Sequence, residues 1–557
     1  MFRHALTHDA TYGLLPYGQR RHLHQEVAEQ LEDRYHEDLS PVYQLLAQHW
    51  RGAELPVKEV PYLAKAGVQA LNVYSRHEAV EMLSRALELD EGLRGPREVD
   101  DSRTYWYQKL GEAHYSLADR ANASRCYRAA IELAGFPDPK GGLPILGEIA
   151  RHVARRVQTR LRRGPRAPLE SSEGRERCRI ALRAMVDLVA VQAWEGDKVG
   201  FIHTMYEARR IADLAGSSPE AAYAIANLGY LHGMFGLHGV AEHDLAVGVQ
   251  MAETEGNLLG IISCNVIFIM FLSMVGRVEE ALGPGFRVEA LSEKLGEGLW
   301  RHRTKTQLAE PLLRTARYGE ASDLLRRAAE IAIKAEPPAA GLATCLDADA
   351  RLRLGDVDDA SAALDSPLGL AIIRANPTGL PLFVGLGIAG QVYLRQGRYL
   401  DALRAIEEAE RSSDEGSVFF IGIHGHAAVL EVLLALWARR SRPADAAELH
   451  PVDDISDLEQ RTRAAIGRFK AFHKMFPGAG PALQLAVGRY EHLRGHSRAA
   501  HTAWRSAAAQ GETMGMPYER GMALCYLGEY GRQDERAAAR QKASQIFEQF
   551  GIDSHPV

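Results

Sequence analysis

The alanines Ala241, Ala281, Ala321, Ala360 and Ala402 recur at steps of 40, 40, 39 and 42 residues. Five residues before each stands a turn-former or small residue: Gly236, Gly276, Ala316, Gly355 and Gly397. Such a period constrains the chain to a stack of like units, each burying its apolar face only against its neighbours. The length of 557 residues exceeds what one hydrophobic core supports, so an array accommodates it. Aromatics make up only 7% of the residues, which with abundant Ala and Leu favours helices over strands.

The sharpest single unit is 104–137, with Tyr107, Leu110, Gly111, His114, Ala123, Tyr127 and Ala130 in register. This spacing resembles the tetratricopeptide (TPR) repeat, with His114 where Tyr is usual. Gly111 and Ala123 fall where two antiparallel helices approach most closely, and Tyr127 fills the space between them. The register returns as Leu63, Gly67, Ala79, Leu83 and Ala86, then as Leu228, Gly229, His232, Ala241 and Leu245. It returns again as Ala389, Gly390, Tyr393, Ala402, Ile406 and Ala409, and near the end as Gly488, Ala500, Trp504 and Ala507.

The turns share one plan, as in Gly276-Arg277-Val278-Glu279-Glu280-Ala281, Gly355 to Ala360, and Gly397 to Ala402. Glycine takes the left-handed conformation that ends the first helix. Acidic residues then sit in the first turn of the second, where the helix dipole favours negative charge. The fold class implied is all-α, a right-handed α-solenoid of TPR-like helix pairs. A step near 40 against the usual 34 implies longer pairs and a deeper groove.

Five regions follow. Residues 1–40 read as a junction to an upstream nucleotide-binding module, and 41–137 as a first lobe. Residues 138–176 hold a loop, a basic amphipathic helix and a linker. A second lobe spans 177–447, and terminal units with a cap span 448–557. The amphipathic helix has Ile145, Ile149, Val153, Val157 and Leu161 on one face and a basic tail from Arg151 to Arg166. Its stripe suits packing on a neighbouring repeat, the alternative being an anionic lipid surface or acidic partner.

Leu258 to Val275 carries no charge for 18 residues, the lower limit for spanning a membrane. It also falls where the repeat requires a buried first helix, which is the reading adopted; membrane contact is not expected. The net charge of −6 gives no global pull towards nucleic acid. Five scattered cysteines without a CxxC pair fit a reducing, cytoplasmic setting.

Phe2, His4, Leu6, Tyr12, Leu15, Arg21, Leu23, His24, Ala28, Leu31 and Glu32 form a separate signature. It resembles the segment joining the nucleotide-binding module to the TPR tail of large bacterial signalling ATPases. These include AAA-type ATPases fused to class III adenylate or guanylate cyclases, and regulators of the LuxR and maltose-activator type. Phe476 to Pro481, Met514-Gly515-Met516-Pro517-Tyr518-Glu519 and Ala543 to Gly551 are similar to the cyclase-linked branch. No G-x-x-x-x-G-K-[ST] phosphate loop exists in the chain, so the family's ATP-binding role does not carry over. The resemblance implies the C-terminal part of a larger signalling protein or a stand-alone remnant.

No catalytic template emerges. The 22 histidines include His4 with His8, His22 with His24, and His492, His496 and His501, but no HExxH completes a metal site. No nucleophile elbow is present, and no enzyme activity, cofactor or metal is expected. The groove candidates are Arg314, Arg353 and Arg395, which share one register position in successive units, with Glu310, Asp349 and Gln391 beside them. Stacked on a concave face, the arginines suit a carboxylate or phosphate; the alternative is that the dipole favours them there, or that their acidic neighbours neutralise them.

The function implied is a non-catalytic interaction and sensor module of a bacterial signalling protein, taking a protein or small effector in its groove. The alternatives are the regulatory tail of a cyclase or ATPase, and the small-molecule sensor tail of a transcriptional regulator.

Overall fold

The computed structural model describes residues 12, 14–94, 101–117, 119–137, 145, 147–151, 153–154, 169–375, 379–412, 419–441 and 455–552. Phe2, His4 and Leu6 of the N-terminal signature lie outside them, as do His8, residues 155–168 of the basic tail and linker, and residues 442–454. Among the described residues every regular element is helical. Two compact units emerge, Met1–Gln192 with Asp213–Ala215, and Ala193–Ala212 with Gly216–Val557.

The first unit is built from α1 (Tyr17–Arg34), α2 (Tyr43–Gly52), α3 (Pro56–Asn72), α4 (Arg76–Arg94), α5 (Asp101–Ser116), α6 (Arg120–Leu133) and most of α7 (Ser172–Glu195). Consecutive helices from α1 to α6 pack on one another. Leu83, Leu87, Leu110 and Cys126 form one buried cluster with Tyr107 against it. The close approach expected at Gly111 is present: a Cβ there would meet the Tyr127 ring at 2.6 Å.

The second unit runs through α8 (Lys198–Ala215), α9 (Pro219–Met234), α10 (His238–Glu255), α11 (Leu258–Met274), α12 (Val278–Leu295), α13 (Gly298–Arg314), α14 (Tyr318–Ala335) and α15 (Pro337–Leu354). After the short α16 (Val357–Asp365) and α17 (Leu370–Ala375) come α18 (Gly379–Arg395), α19 (Tyr399–Ser412), α20 (Ile423–Arg440) and α21 (Ile455–Met475). The unit ends with α22 (Gly480–Leu493), α23 (Ser497–Thr513), α24 (Pro517–Tyr530) and α25 (Arg536–Phe550).

The periodic alanines Ala241, Ala281, Ala321, Ala360 and Ala402 are fully buried, as is Ala500. The five turns preceding them, Ala316 included, have positive φ, between 58° and 87°. In each, the amide after the turn residue donates five residues back: Leu237 to His232, Arg277 to Leu272, Arg317 to Leu312, Asp356 to Arg351 and Arg398 to Tyr393. That bond satisfies a carbonyl the helix end would otherwise leave open. Paired helices of 17 and 18 residues, α13 with α14, are about 26 Å long.

Helix α11 is buried between its neighbours and also touches residues 420–422 and 477–479. The stretch Phe420–Arg440 is long and apolar enough to cross a membrane by length and composition, and 78% of its apolar window is buried inside the protein. The later helices thus pack back on the earlier ones. A Cβ on Gly276 would meet Met514, and one on Gly478 would meet the Ser273 carbonyl oxygen.

Candidate functional site

Helices α13 and α15 each carry a carboxylate followed one turn later by arginine, the favourable order for an i,i+4 pair. Arg314 Nε donates to Glu310 at 2.9 Å and Arg353 Nε to Asp349 at 3.2 Å. In α18 the same two positions are Gln391 and Arg395. The Gln391 amide donates to Glu431 of α20 at 2.7 Å, and Arg395 stands 3.8 Å from the same carboxylate. All six groove candidates lie on three first helices of successive pairs, and all six meet in one cluster through His424 and Glu431 of α20.

Helix α20 supplies the centre. His424 Nδ1 lies 2.8 Å from Asp349 and its Nε2 lies 2.8 Å from Glu310. Each ring nitrogen can donate to the carboxylate it faces, and Arg314 Nη2 also lies 3.1 Å from Nε2. Helix α24 closes the cluster. Glu519 accepts from Arg314 at 3.1 Å, and the Tyr518 ring lies 4.0 Å from the Arg353 guanidinium. Arg314 also faces the Phe420 ring.

Burial and charge oppose one another here. Burial pushes the Glu310 carboxyl up, but the charges and hydrogen bonds of His424 and Arg314 outweigh it and hold Glu310 at about 2. Asp349 is likewise driven below the carboxylate range against its burial by Arg353, His424 and Arg314. Burial pushes the His424 ring down, but Glu310 and its bonds with Asp349 and Glu310 leave it above its ordinary value despite Arg314.

Between these helices lies a cavity of about 70 Å³, lined by Arg314, Arg353, Arg395 and Glu431 and by Arg489, Tyr518 and Tyr526 from α22 and α24. His424, Glu431, Arg489, Tyr518 and Glu519 are the members that register reasoning does not reach. A signal existed for two of them, since Tyr518 and Glu519 stand in the Met514–Glu519 segment that carries the C-terminal resemblance.

The buried cysteines Cys126, Cys264 and Cys345 are not poised nucleophiles. Burial pushes the Cys264 and Cys345 thiols up to about 12 and Cys126 to about 11, which keeps them protonated. Among the described residues no group of three or more His, Cys, Asp or Glu could hold a metal ion. The repeat-defining glycines serve packing. A Cβ on Gly67 would meet Leu83 at 2.8 Å, and one on Gly229 would meet Leu245 at 2.9 Å.

No protein-family model matches the chain, and no curated protein is significantly similar to it. Among solved structures it is similar to a Rap protein complexed with competence and sporulation factor, at 11% identity and TM-score 0.36, over 82% of this chain and 98% of that one. It is similar to the APC/C hetero-tetramer Cut9-Hcn1 at 14% identity and TM-score 0.37, over 96% and 95%. Naa15/Naa10 bound to HypK-THB follows at 10% identity and TM-score 0.26, over 94% and 92%.

Proposed function

We propose that the chain is a non-catalytic interaction and sensor module. Its ligand face is the surface of the second unit on which α13, α15, α18 and α20 present their charged side chains. The observation that carries this reading is the closure of that face by the chain's own end: Glu519 of α24 is seated on Arg314 of α13. A face already holding an acidic side chain and an aromatic ring is suited to a partner or effector of like chemistry.

A ligand that prefers the open or the closed arrangement shifts the equilibrium between them, and only that preference transmits a signal. The output in this reading is an attached nucleotide-dependent switch, as the resemblance of the chain's end motifs to the tails of bacterial signalling ATPases implies.

Two measurements test it. In calorimetry the full chain takes up neither ATP nor Mg²⁺, and micromolar nucleotide affinity overturns the non-catalytic reading. In hydrogen exchange, Glu519→Gln speeds exchange of residues 517–530 and leaves 219–255 unchanged. Uniform loss of protection over both segments shows that Glu519 serves overall stability and removes the closure argument.

A further inference from the structure

His424 Nε2 has two neighbours of opposite character. Glu310 Oε2 lies 2.8 Å away and Arg314 Nη2 lies 3.1 Å away. An ionised carboxylate only accepts and a guanidinium only donates, so this nitrogen cannot serve both at once. With a proton it donates to Glu310; without one it offers its lone pair to Arg314. Nδ1 has no such choice, because the Asp349 carboxylate faces it at 2.8 Å. It keeps its proton in either state, and Nε2 is where the ring titrates.

Arg314 is shared between this ring and α24. Its Nε donates to Glu310 Oε1 at 2.9 Å and its Nη1 to Glu519 Oε1 at 3.1 Å. With His424 charged, each Glu310 oxygen has a donor and Arg314 keeps Nη1 for Glu519. With His424 neutral, Glu310 Oε2 faces a lone pair and has no donor while the cluster stays closed. A buried charged oxygen left unmet is costly. Two movements relieve it, and both act on α24. Arg314 can turn towards the ring and carboxylate, which draws Nη1 off Glu519, or α24 can lift and admit water to Glu310.

The other charges on the helices around α20 are engaged elsewhere. Among the described residues, the donors on Glu310 are Arg314 and His424. Arg353 of α15 is bonded to Asp349 Oδ1 and lies against the Tyr518 ring. From α18, Gln391 and Arg395 are directed to Glu431, about two turns from His424 on its own helix. Arg468 of α21 is bonded to Glu410 of α19. Arg489 of α22 lies over the Tyr526 ring, on which the charge of Glu529 also acts.

We propose that His424 is a proton-operated latch on α24: a proton on Nε2 keeps Glu519 seated on Arg314, and loss of that proton releases the helix. The inference rests on the reading of α24 as the closure of the ligand face and adds what controls that closure. In the closed arrangement the ring titrates above its ordinary 6.5, so the closed form is the acid-side form and release sets in as pH rises above 6.5.

Hydrogen exchange of the full chain tests it, read as protection factors so that the intrinsic pH dependence of exchange is removed. Between about pH 6 and about pH 9, protection of residues 517–530 falls about tenfold or more, the weight of one bond to a buried charge, while 219–255 holds. His424→Gln offers a donor and an acceptor without a charge at any pH. Its 517–530 segment is therefore poorly protected at both ends of the range and does not respond to pH. Should that variant lose its cooperative melt, Glu519→Gln decides: with the latch already open, the same segment is poorly protected at about pH 6 and stays so.

A native chain whose 517–530 protection ignores pH, or a fall of equal size in either folded variant, overturns the proposal. If Glu519→Gln loosens 517–530 selectively while the native chain ignores pH, the closure stands and the proton latch fails. If Glu519→Gln loosens 219–255 equally, the closure reading fails and the latch goes with it.

Discussion

Arg314 and Glu519 are 205 residues apart in sequence and 3.1 Å apart in space, both largely buried. Arg314 closes a helix in the middle of the array, and Glu519 opens a helix near its end. Their contact ties the C-terminal pairs to earlier units that a purely sequential stack would leave separate. An array with only nearest-neighbour contacts unfolds in pieces; this contact couples the pieces.

Replacing Glu519 by Ala leaves a buried guanidinium with one carboxylate fewer. The expected cost is about 3 kcal/mol, in the range for breaking a buried pair. The double change Arg314→Met with Glu519→Ala costs less than the sum of the two single changes, because neither charge is left behind. Urea midpoints of the four proteins, followed by circular dichroism, measure this; additive costs would show that the two residues act separately.

Proton linkage provides a second expectation. His424 is faced by Glu310 and Arg314 from α13, by Asp349 from α15, and by Glu519 through Arg314 from α24. Its folded value lies above the unfolded 6.5. Its contribution is therefore fully present below pH 6.5 and is lost as pH rises through the folded value. Urea midpoints of the native chain should fall as pH rises above 6.5, and His424→Gln should flatten that fall. A decline of equal slope in the variant would assign it to other groups.

Glu310 gives the opposite limb. Its folded value of about 2 lies below the ordinary 4.5, so its contribution is present above pH 4.5 and lost as pH falls towards 2. Glu310→Gln should lower stability at pH 7 and reduce the acid dependence over that interval, with the same urea midpoints as the readout.

The helix pairs were legible because their demands are local. A left-handed turn residue, a buried alanine five positions on and acidic residues between them satisfy one helix end and one helix start, and 40 residues later the same problem returns. The acid-then-arginine order of Glu310 with Arg314 and Asp349 with Arg353 was legible for the same reason. His424, Glu431 and Glu519 were not. They reach the cluster across 110, 40 and 205 residues, through packing of whole helices that leaves no spacing in the chain. Gln391 shows the limit within the register itself: it occupies the carboxylate position of its unit, yet its partner is Glu431 of the next pair instead of its own Arg395.

Close helix approach makes the repeat glycines sensitive. A Cβ on Gly488 would lie 2.2 Å from the Trp504 ring, which is fully buried and has no room to swing away. Gly488→Ala should cost about 1–3 kcal/mol by overpacking, whereas Gly495→Ala, with open space around it but φ of 80°, should cost about 1 kcal/mol through backbone strain alone. Combining Gly488→Ala with Trp504→Leu should recover part of the first loss and none of the second. Thermal melts of the three variants separate crowding from conformation.

Ala316 is the exception among the five turns and gives the opposite sign. It holds φ of 58° where Gly236, Gly276, Gly355 and Gly397 hold 75°, 83°, 87° and 74°. An L-residue with a Cβ pays about 1–2 kcal/mol for that conformation. Glycine removes the strain but gives the unfolded chain more freedom, which offsets about 0.5–1 kcal/mol. The helix-ending hydrogen bond from Arg317 to Leu312 at 2.9 Å is already in place, so no new contact is needed. Ala316→Gly should therefore stabilise the second unit by about 0.5–1 kcal/mol, while Gly355→Ala, the reverse change in the next turn, destabilises by a similar amount. Urea midpoints that move in the same direction for both would show that the turn conformation is not what these positions select.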